Sequence, residues 1–403
     1  MNTSLRRLKG ADGERISILV DGEGMPLFYP TLFVTWTLRG KSQAANSITN
    51  ALNALKALCA WEHRRGIDLV SMFTKGVLLD HNQVRDLSDF LQRSLKNGQS
   101  VSVTSILKKH RVVGVSVHYF RLSTVAQYLQ FLAHRVAPHV ADGAVSAMVQ
   151  TINAHRPSKP HRSFIDRDEI HLSHETIQTI EAALKPGAPL NPASDRDLQL
   201  RNGLMFFLLK LTGMRRGELL NLRIVDINFG DNTIAVVRRP DSDLDTRNYQ
   251  PTAKTRPRRI RIAPVLVERI ADYVKDVRRK VPGARKHDYL FVTHKAGPTQ
   301  GAPLSIGGFS KWMGQVAAIV ENSGFHAHAL RHNWNYHFSR LAEEKGMSAE
   351  EEEKTRSYWM GWSETSGTAS TYNRRHTKEK AQQVGLELQA RYVKSIGRVD
   401  DDD

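Results

Sequence analysis

The sequence predicts a mainly α-helical protein of two domains, with a small antiparallel β-sheet in the second. Three observations predict it. Apolar residues recur at intervals of three and four over long stretches on both sides of a basic, proline-containing segment at 156–172. Two short runs, TIAVVRRP and RRIRIAP, instead alternate apolar with polar residues across a polar insertion. At 403 residues and 40% hydrophobic content the chain is long enough for two cores and too apolar for wholesale disorder.

Residues 1–13 read as a tail, and ISILVDGEGMPLFYP as a short hairpin, because two apolar runs flank DGEG, whose glycines accept positive φ. Tail and hairpin occupy 1–30, and a helical domain occupies 31–155. From Ser42 to about Arg65, residues Ile48, Leu52, Leu55, Leu58 and Trp61 mark one helix face, with Gly66 just past its end. Cys59 lies in the same apolar series and reads as a small buried hydrophobe. Further helices are expected at about 82–97, 116–137 and 142–154. The segment RPSKPHRSFIDRDEIHL, 156–172, reads as an interdomain linker, either a solvated spacer or a basic connector lying on a phosphate backbone.

The second domain is expected over 173–380. SHETIQTIEAAL opens with a Ser cap, and a helix from about Ser194 carries LMFFLLKL, apolar enough to be the domain's core. Thr212 and Gly213 break it, which leaves Arg215 immediately beyond and Glu218 three residues later, placed to orient that arginine. The two alternating runs make a hairpin whose tip, PDSDLDTRNYQPTAKTRP, is wide, polar and basic. An amphipathic helix at 264–280, a short buried strand in DYLFVTHKAGP and a helix ending at Gly324 follow. EEEEK reads as a solvated helix start with its acids at the positive end of the dipole. Residues 381–403 give a helix with Val384, Leu388 and Tyr392 to bury, then an acidic tail.

The formal charge of +17, from 58 Lys and Arg against 41 Asp and Glu, speaks to partners rather than architecture. A polyanion is the economical explanation; a generally basic soluble protein is the bland one. One cysteine excludes a disulfide framework and a cysteine-ligated zinc site, and no HExxH appears among the seventeen histidines, so neither metal nor cofactor is expected. The amino terminus has no apolar core of signal-peptide length and nowhere do eighteen apolar residues run together, so a soluble, cytoplasmic setting is expected.

Chemistry concentrates between Phe325 and Tyr372. His328 and Arg331 sit three apart at a helix start, so their side chains share a face and converge on one small anion. Trp362 and Tyr372 flank a loop rich in Ser, Thr and Gly. A guanidinium fork matches two phosphate oxygens, histidine and indole each offer an N–H, and a phenol attacks phosphorus and leaves again. That is a toolkit for phosphoryl transfer without a metal. Rivals exist for each role. Tyr358 reads as core-packed, Tyr289 as part of a buried strand, and Tyr336 is a third phenol. His326 and His332 compete with His328, although His332, next to Arg331, points elsewhere on a helix. Trp362 has the alternative of a plain core indole.

HALRH, preceded by TGMRRGELLNL at 212–222 and followed by MGW and a tyrosine, resembles the tyrosine recombinase (phage integrase) family over about residues 170–380. That family's signature of Arg, Lys, His-x-x-Arg, His or Trp, and Tyr has counterparts in Arg215, Lys254, His328, Arg331, Trp362 and Tyr372. Trp362 and Tyr372 stand one residue further apart than the commonest family spacing. Arg256, Arg258 and Arg259 compete with Lys254, but arginine holds its proton too tightly to give it up near neutrality. The resemblance implies a C-shaped two-domain DNA clamp, with a helical SAM-like core-binding domain and an integrase-type catalytic domain. It implies attack by Tyr372 to form a 3′-phosphotyrosyl link, without ATP or metal, on double-stranded DNA. It further implies a homotetramer on paired sites, accessory DNA-bending or directionality proteins, and a C-terminal segment lent to a neighbouring subunit, with packing of that segment in cis as the alternative. A type IB topoisomerase-like swivel and a non-cleaving DNA-binding accessory protein are the competing readings.

Overall fold

The computed structural model describes residues 3–40, 45–94, 112–158, 172–253, 255–321, 324–363 and 380–391. Its contacts gather into two compact units, Met1–Phe164 and Ile165–Asp403. Among the described residues no helix is long and apolar enough to cross a membrane.

The first unit opens with β1 (Ser4–Lys9) and β2 (Arg15–Val20), antiparallel in a register that pairs Leu5 with Leu19 and Leu8 with Ile16. The expected tail is therefore largely a strand, joined to β2 by a turn at Gly10–Glu14. The reason is that SLRRLK is an edge strand, whose charged residues face water and hide the alternation. DGEG makes a second tight turn, in which the Asp21 N–H donates to the Met25 carbonyl at 2.9 Å and Val20 bridges Pro26. Helices follow: α1 (Phe28–Phe33), α2 (Ala45–Arg65), α3 (Leu69–Thr74), α4 (His81–Leu91), α5 (Val115–Val136) and α6 (Asp142–Ala154). Ile48, Leu52, Leu55, Leu58 and Trp61 of α2 are all buried in one core with residues of α4, α5 and α6. Trp61 donates its indole N–H to Asp86 of α4 at 2.7 Å, and Arg65 joins the same carboxylate. Helix α4 is capped by a reciprocal pair, Asp80 and Gln83. It ends at Leu91, short of the expected 97, because Arg121 of α5 takes the carbonyls of Leu91 and Arg93 at 2.7 and 2.8 Å. Burial, reinforced by the charge of Glu62, pushes the Cys59 thiol up to about 12, so it stays protonated and inert.

In the second unit α7 (His174–Ala183) and α8 (Arg196–Thr212) are capped by Ser173 and Asp195, whose side chains accept from backbone N–H groups three residues on. Helix α8 is the central post: Met205, Phe206, Leu208 and Leu209 have no exposed surface. Burying each such side chain contributes about 1.5–3 kcal/mol. After α9 (Arg216–Leu220) the strands β3 (Ile227–Asn228), β4 (Thr233–Val236) and β5 (Arg258–Arg261) form one antiparallel sheet in chain order. Ile234 pairs with Ile260 on its buried face. Helices α10 (Pro264–Asp272), α11 (Ile306–Ile319), α12 (Ala327–Glu344) and α13 (Ala349–Met360) complete the unit, and 380–391 is also helical.

Three expectations need correction, and buried arginines explain two of them. The insertion between β4 and β5 is not an open basic tip. Arg247 and Asp245 form a buried ion pair there, and the Arg247 guanidinium also donates to the carbonyls of Leu220 and Leu304 at 3.0 and 2.9 Å. Residues 289–292 are buried as expected but form no strand ladder. The carbonyls of Tyr289 and Val292 are taken by guanidinium groups, of Arg278 at 2.8 Å and of Arg201 at 2.9 Å, while that of Phe291 accepts the Leu304 N–H, and only isolated bridges to Arg223 and Pro303 remain. The acidic start of α13 is not wholly solvated: Glu352 is buried in an ion pair with Arg356 one turn on, while Glu350 and Glu351 face water.

Candidate active site

The site is built on the carboxyl end of α8. A helix ends with carbonyls that have no intrahelical partner, and here three consecutive ones receive donors from two other helices. Trp334 of α12 donates its indole N–H to Leu211 at 3.1 Å, Trp359 of α13 donates to Thr212 at 2.9 Å, and Arg331 of α12 donates to Gly213 at 2.7 Å. The two indoles stack, 5.6 Å apart and 11° from parallel. Gly213 adopts φ +64, and a Cβ there would lie 2.8 Å from Met360 and 3.0 Å from Trp334, so only glycine fits. This junction turns the chain into Arg215, which precedes the first turn of α9 with its side chain 28% exposed.

Behind Arg215 lies Glu218, which is fully buried. Its carboxylate accepts the backbone N–H of Arg215 at 3.0 Å, the Thr255 hydroxyl at 2.7 Å and the Arg258 guanidinium at 2.9 Å. The Arg215 side chain approaches it less closely, at 3.6 Å, so the acid orients Arg215 mainly through the backbone. Burial works to raise the Glu218 carboxyl, but the charge and hydrogen bond of Arg258, the Thr255 hydroxyl and the charge of Arg331 hold it below the usual carboxylate range. One ionised carboxylate thus faces three guanidiniums, and the surplus is positive.

Arg331 is buried, its second fork nitrogen 3.4 Å from the Met360 carbonyl and its guanidinium 5.4 Å above the Trp362 ring. Trp362 itself is buried beside Met360, Trp334 and Trp359, and its backbone N–H donates to Ser357 at 2.9 Å. Its ring therefore carries Arg331 whatever else its N–H does. His328, one turn before Arg331, is exposed on its open side and packed edge-on against His332, with ring centroids 4.5 Å apart. The expectation that His332 points elsewhere is thus corrected: four residues apart on a helix, the two rings touch. Partial desolvation, then the charges of His332, Arg331 and Arg215, push the His328 imidazole down to about 4, so it is neutral at physiological pH.

Of the six residues singled out in the sequence, Arg215, His328, Arg331 and Trp362 come together here. Lys254 and Tyr372 lie outside the described residues. Among the rival phenols, Tyr289 is buried beneath Arg223 and Arg247. Tyr358 is not core-packed as expected but 67% exposed, because α13 turns Met360 and Trp359 inward and Tyr358 outward. Arg258, a nominal competitor of Lys254, is fixed on Glu218, whereas Arg256 and Arg259 are exposed. Thr255, Trp334 and Trp359 drew no attention in the sequence. A threonine beside a lysine and two tryptophans on different helices carry no distinctive pattern, and only the fold brings them to the α8 end.

Residues 170–379, more than half of the chain, match the family described as the phage integrase family. Tyrosine recombinase XerD of Halalkalibacterium halodurans is 31% identical over 163 residues, which are 40% of this chain and 46% of that protein. The match thus spans about half the length of that relative. Solved structures with similar arrangements include three recombinases. XerA recombinase is 17% identical with a TM-score of 0.35, covering 88% of this chain and 97% of that one. XerH site-specific recombinase bound to difH substrate is 14% identical with a TM-score of 0.42, covering 88% and 94%. A lambda integrase dimer bound to a COC′ core site is 15% identical with a TM-score of 0.47, covering 86% and 95%. With residues 170–379 of its second unit matched, the chain belongs to the phage integrase family of tyrosine recombinases.

Proposed function

We propose that this chain is a site-specific DNA recombinase or integrase that cuts and rejoins double-stranded DNA through a 3′-phosphotyrosyl link. The observation that carries the reading is the convergence of Arg215, Arg331 and a neutral His328 on one positively charged site. In this reaction the Tyr372 oxygen bonds to the scissile phosphorus while the bond from phosphorus to the 5′ oxygen breaks. The phenol proton passes to His328 or to water, and Lys254 gives a proton to the departing oxygen. Arg215 and Arg331 stabilise the charge that builds on the nonbridging oxygens, and Trp362, which supports Arg331, is the candidate indole donor. A phenol ionises near pH 10, and the positive surplus favours the phenolate. The phosphotyrosine conserves the energy of the broken diester, so another 5′-hydroxyl reverses the attack without ATP. The basic surplus of the chain gains DNA affinity by counterion release, and binding weakens steeply with salt.

Around this chemistry we place a homotetramer on paired sites in the cytoplasm, acting with accessory DNA-bending proteins on a mobile element. Val384, Leu386 and Leu388 are exposed on the helix at 380–391, and docking on a neighbouring subunit covers them. The test uses a library of nicked duplexes with a randomised core. DNA that becomes covalently attached to protein under denaturing conditions is sequenced, and the modified peptide is mapped. An adduct on Tyr372 that Tyr372→Phe abolishes is the expected result. Attachment at Tyr358 reassigns the nucleophile, relaxation of plasmids without joining of paired sites favours a swivel, and no adduct at all overturns the reading.

A further inference from the structure

We infer that Arg258 is a positioning residue that holds three parts of the catalytic site in register, an inference that rests on the recombinase reading above. Its guanidinium is buried and ties the segment leading into its own strand, β5, to two other elements, α9 and α13. It donates to Glu218 of α9 at 2.9 Å, to the Thr255 hydroxyl at 3.0 Å and to the Trp359 carbonyl of α13. Each contact leads one step further to a catalytic position. Glu218 accepts the backbone N–H of Arg215. Thr255 is the chain neighbour of Lys254 and donates its hydroxyl to the other oxygen of Glu218 at 2.7 Å. Trp359 lies three residues before Trp362, whose ring lies beneath Arg331.

The backbone reinforces the same junction. Arg256 donates its N–H to the Gly361 carbonyl at 2.9 Å, so the chain leading into β5 lies directly against the turn that ends α13. A Cβ at Gly361 would sit 2.9 Å from Arg258 Nη1 and 2.9 Å from the Arg256 carbonyl. There is no slack for the guanidinium to be replaced by water. The three donors of a lysine radiate from one nitrogen, so they cannot span acceptors that Arg258 meets separately with Nε, Nη1 and Nη2. Arg258 touches neither the phosphate site nor a reacting atom. It acts by fixing the spacing between Arg215, the strand that follows Lys254 and the Trp362 turn, and small misplacements at such distances cost about 100-fold in rate.

The experiment uses the full-length protein and the nicked duplex recovered from the library. Cleavage rate at saturating protein, dissociation constant and thermal transition are measured for the wild type, Arg258→Met, Arg258→Lys, Thr255→Val, Glu218→Gln and the double variant Glu218→Gln/Arg258→Met. Arg258→Met is expected to cleave about 100-fold more slowly with a dissociation constant within about twofold. Arg258→Lys stays at least about 10-fold slow. The double variant is no slower than the worse of its single changes, because both break one unit. Thr255→Val, which removes one hydroxyl and keeps the shape, is the reserve should Arg258→Met not fold, and is expected to be about 10-fold slow at unchanged affinity. A wild-type rate in Arg258→Met or in Thr255→Val overturns the inference. So does a loss of rate and affinity together in proportion to the unfolded fraction. If wild-type protein forms no adduct, the recombinase reading itself fails and takes the inference with it; a wild-type adduct with undiminished variants removes the inference alone.

Discussion

Gly346 and Gly361 form a natural pair for measuring how tightly the site is closed. Each ends a helix, α12 and α13 respectively, in the left-handed region with φ +66. At Gly346 an added Cβ would meet nothing within 4 Å, whereas at Gly361 it would meet the Arg256 carbonyl and Arg258 Nη1 at 2.9 Å and the Thr255 Cβ at 3.0 Å. Substituting alanine at either position costs about 1–2 kcal/mol for the backbone conformation. About 0.4–1 kcal/mol of that is offset by a stiffer unfolded chain. Gly346→Ala should therefore destabilise by about 1 kcal/mol. Gly361→Ala adds the overpacking of a crowded site, about 1–3 kcal/mol more, and it pushes on the Arg258–Thr255 hydrogen bond. The difference between the two variants, about 2 kcal/mol, corresponds to about 4–8 °C in melting temperature for a unit of this size. Tryptophan fluorescence is the suitable signal, because Trp334, Trp359 and Trp362 cluster beside Gly361. Melting temperatures that agree to within a degree or so would show that the Gly361 turn yields freely, and the closed junction argued here would be wrong.

Two more outcomes are expected. His328 has a pKa pushed down to about 4 from an ordinary 6.5, so between those values the unfolded chain binds a proton that the native protein refuses. Its contribution to stability is complete above pH 6.5 and is lost as the pH falls towards 4, and a bound phosphate raises the imidazole again; DNA binding near pH 5.5 should take up a proton, seen as a buffer-dependent heat in calorimetry that His328→Gln removes, and no buffer dependence would refute this. Trp359→Phe keeps the stack on Trp334 but deletes the donor to the Thr212 carbonyl, so it should cost about 1–3 kcal/mol in urea unfolding with an unchanged slope; a loss under half of that would mean water replaces the indole N–H.

The helices were legible because their signals are local. The Ile48 to Trp61 face, the cap at Ser173 and the break at Gly213 each depend on residues within a turn or two. The sequence also named Arg215, His328 and Arg331, which the fold brings near one another: the last two by a local His-x-x-Arg spacing, the first by the family resemblance alone. What stayed hidden depends on partners far apart in sequence. Arg278 and Arg201 replace a strand ladder with guanidinium contacts, and nothing in DYLFVTHKAGP announces this. Tyr358 looked core-packed because its neighbours are aromatic, yet the rotation of α13 that buries Met360 turns it to water. Arg258 looked like one basic residue among several until Glu218, forty positions earlier, supplied the reason for its burial.

The three carbonyls at the end of α8 also act as a length gauge. Each is met by a donor whose position is counted from its own helix, so adding or removing one residue between Arg331 and Trp334 would swing that indole about 100° away from its mark.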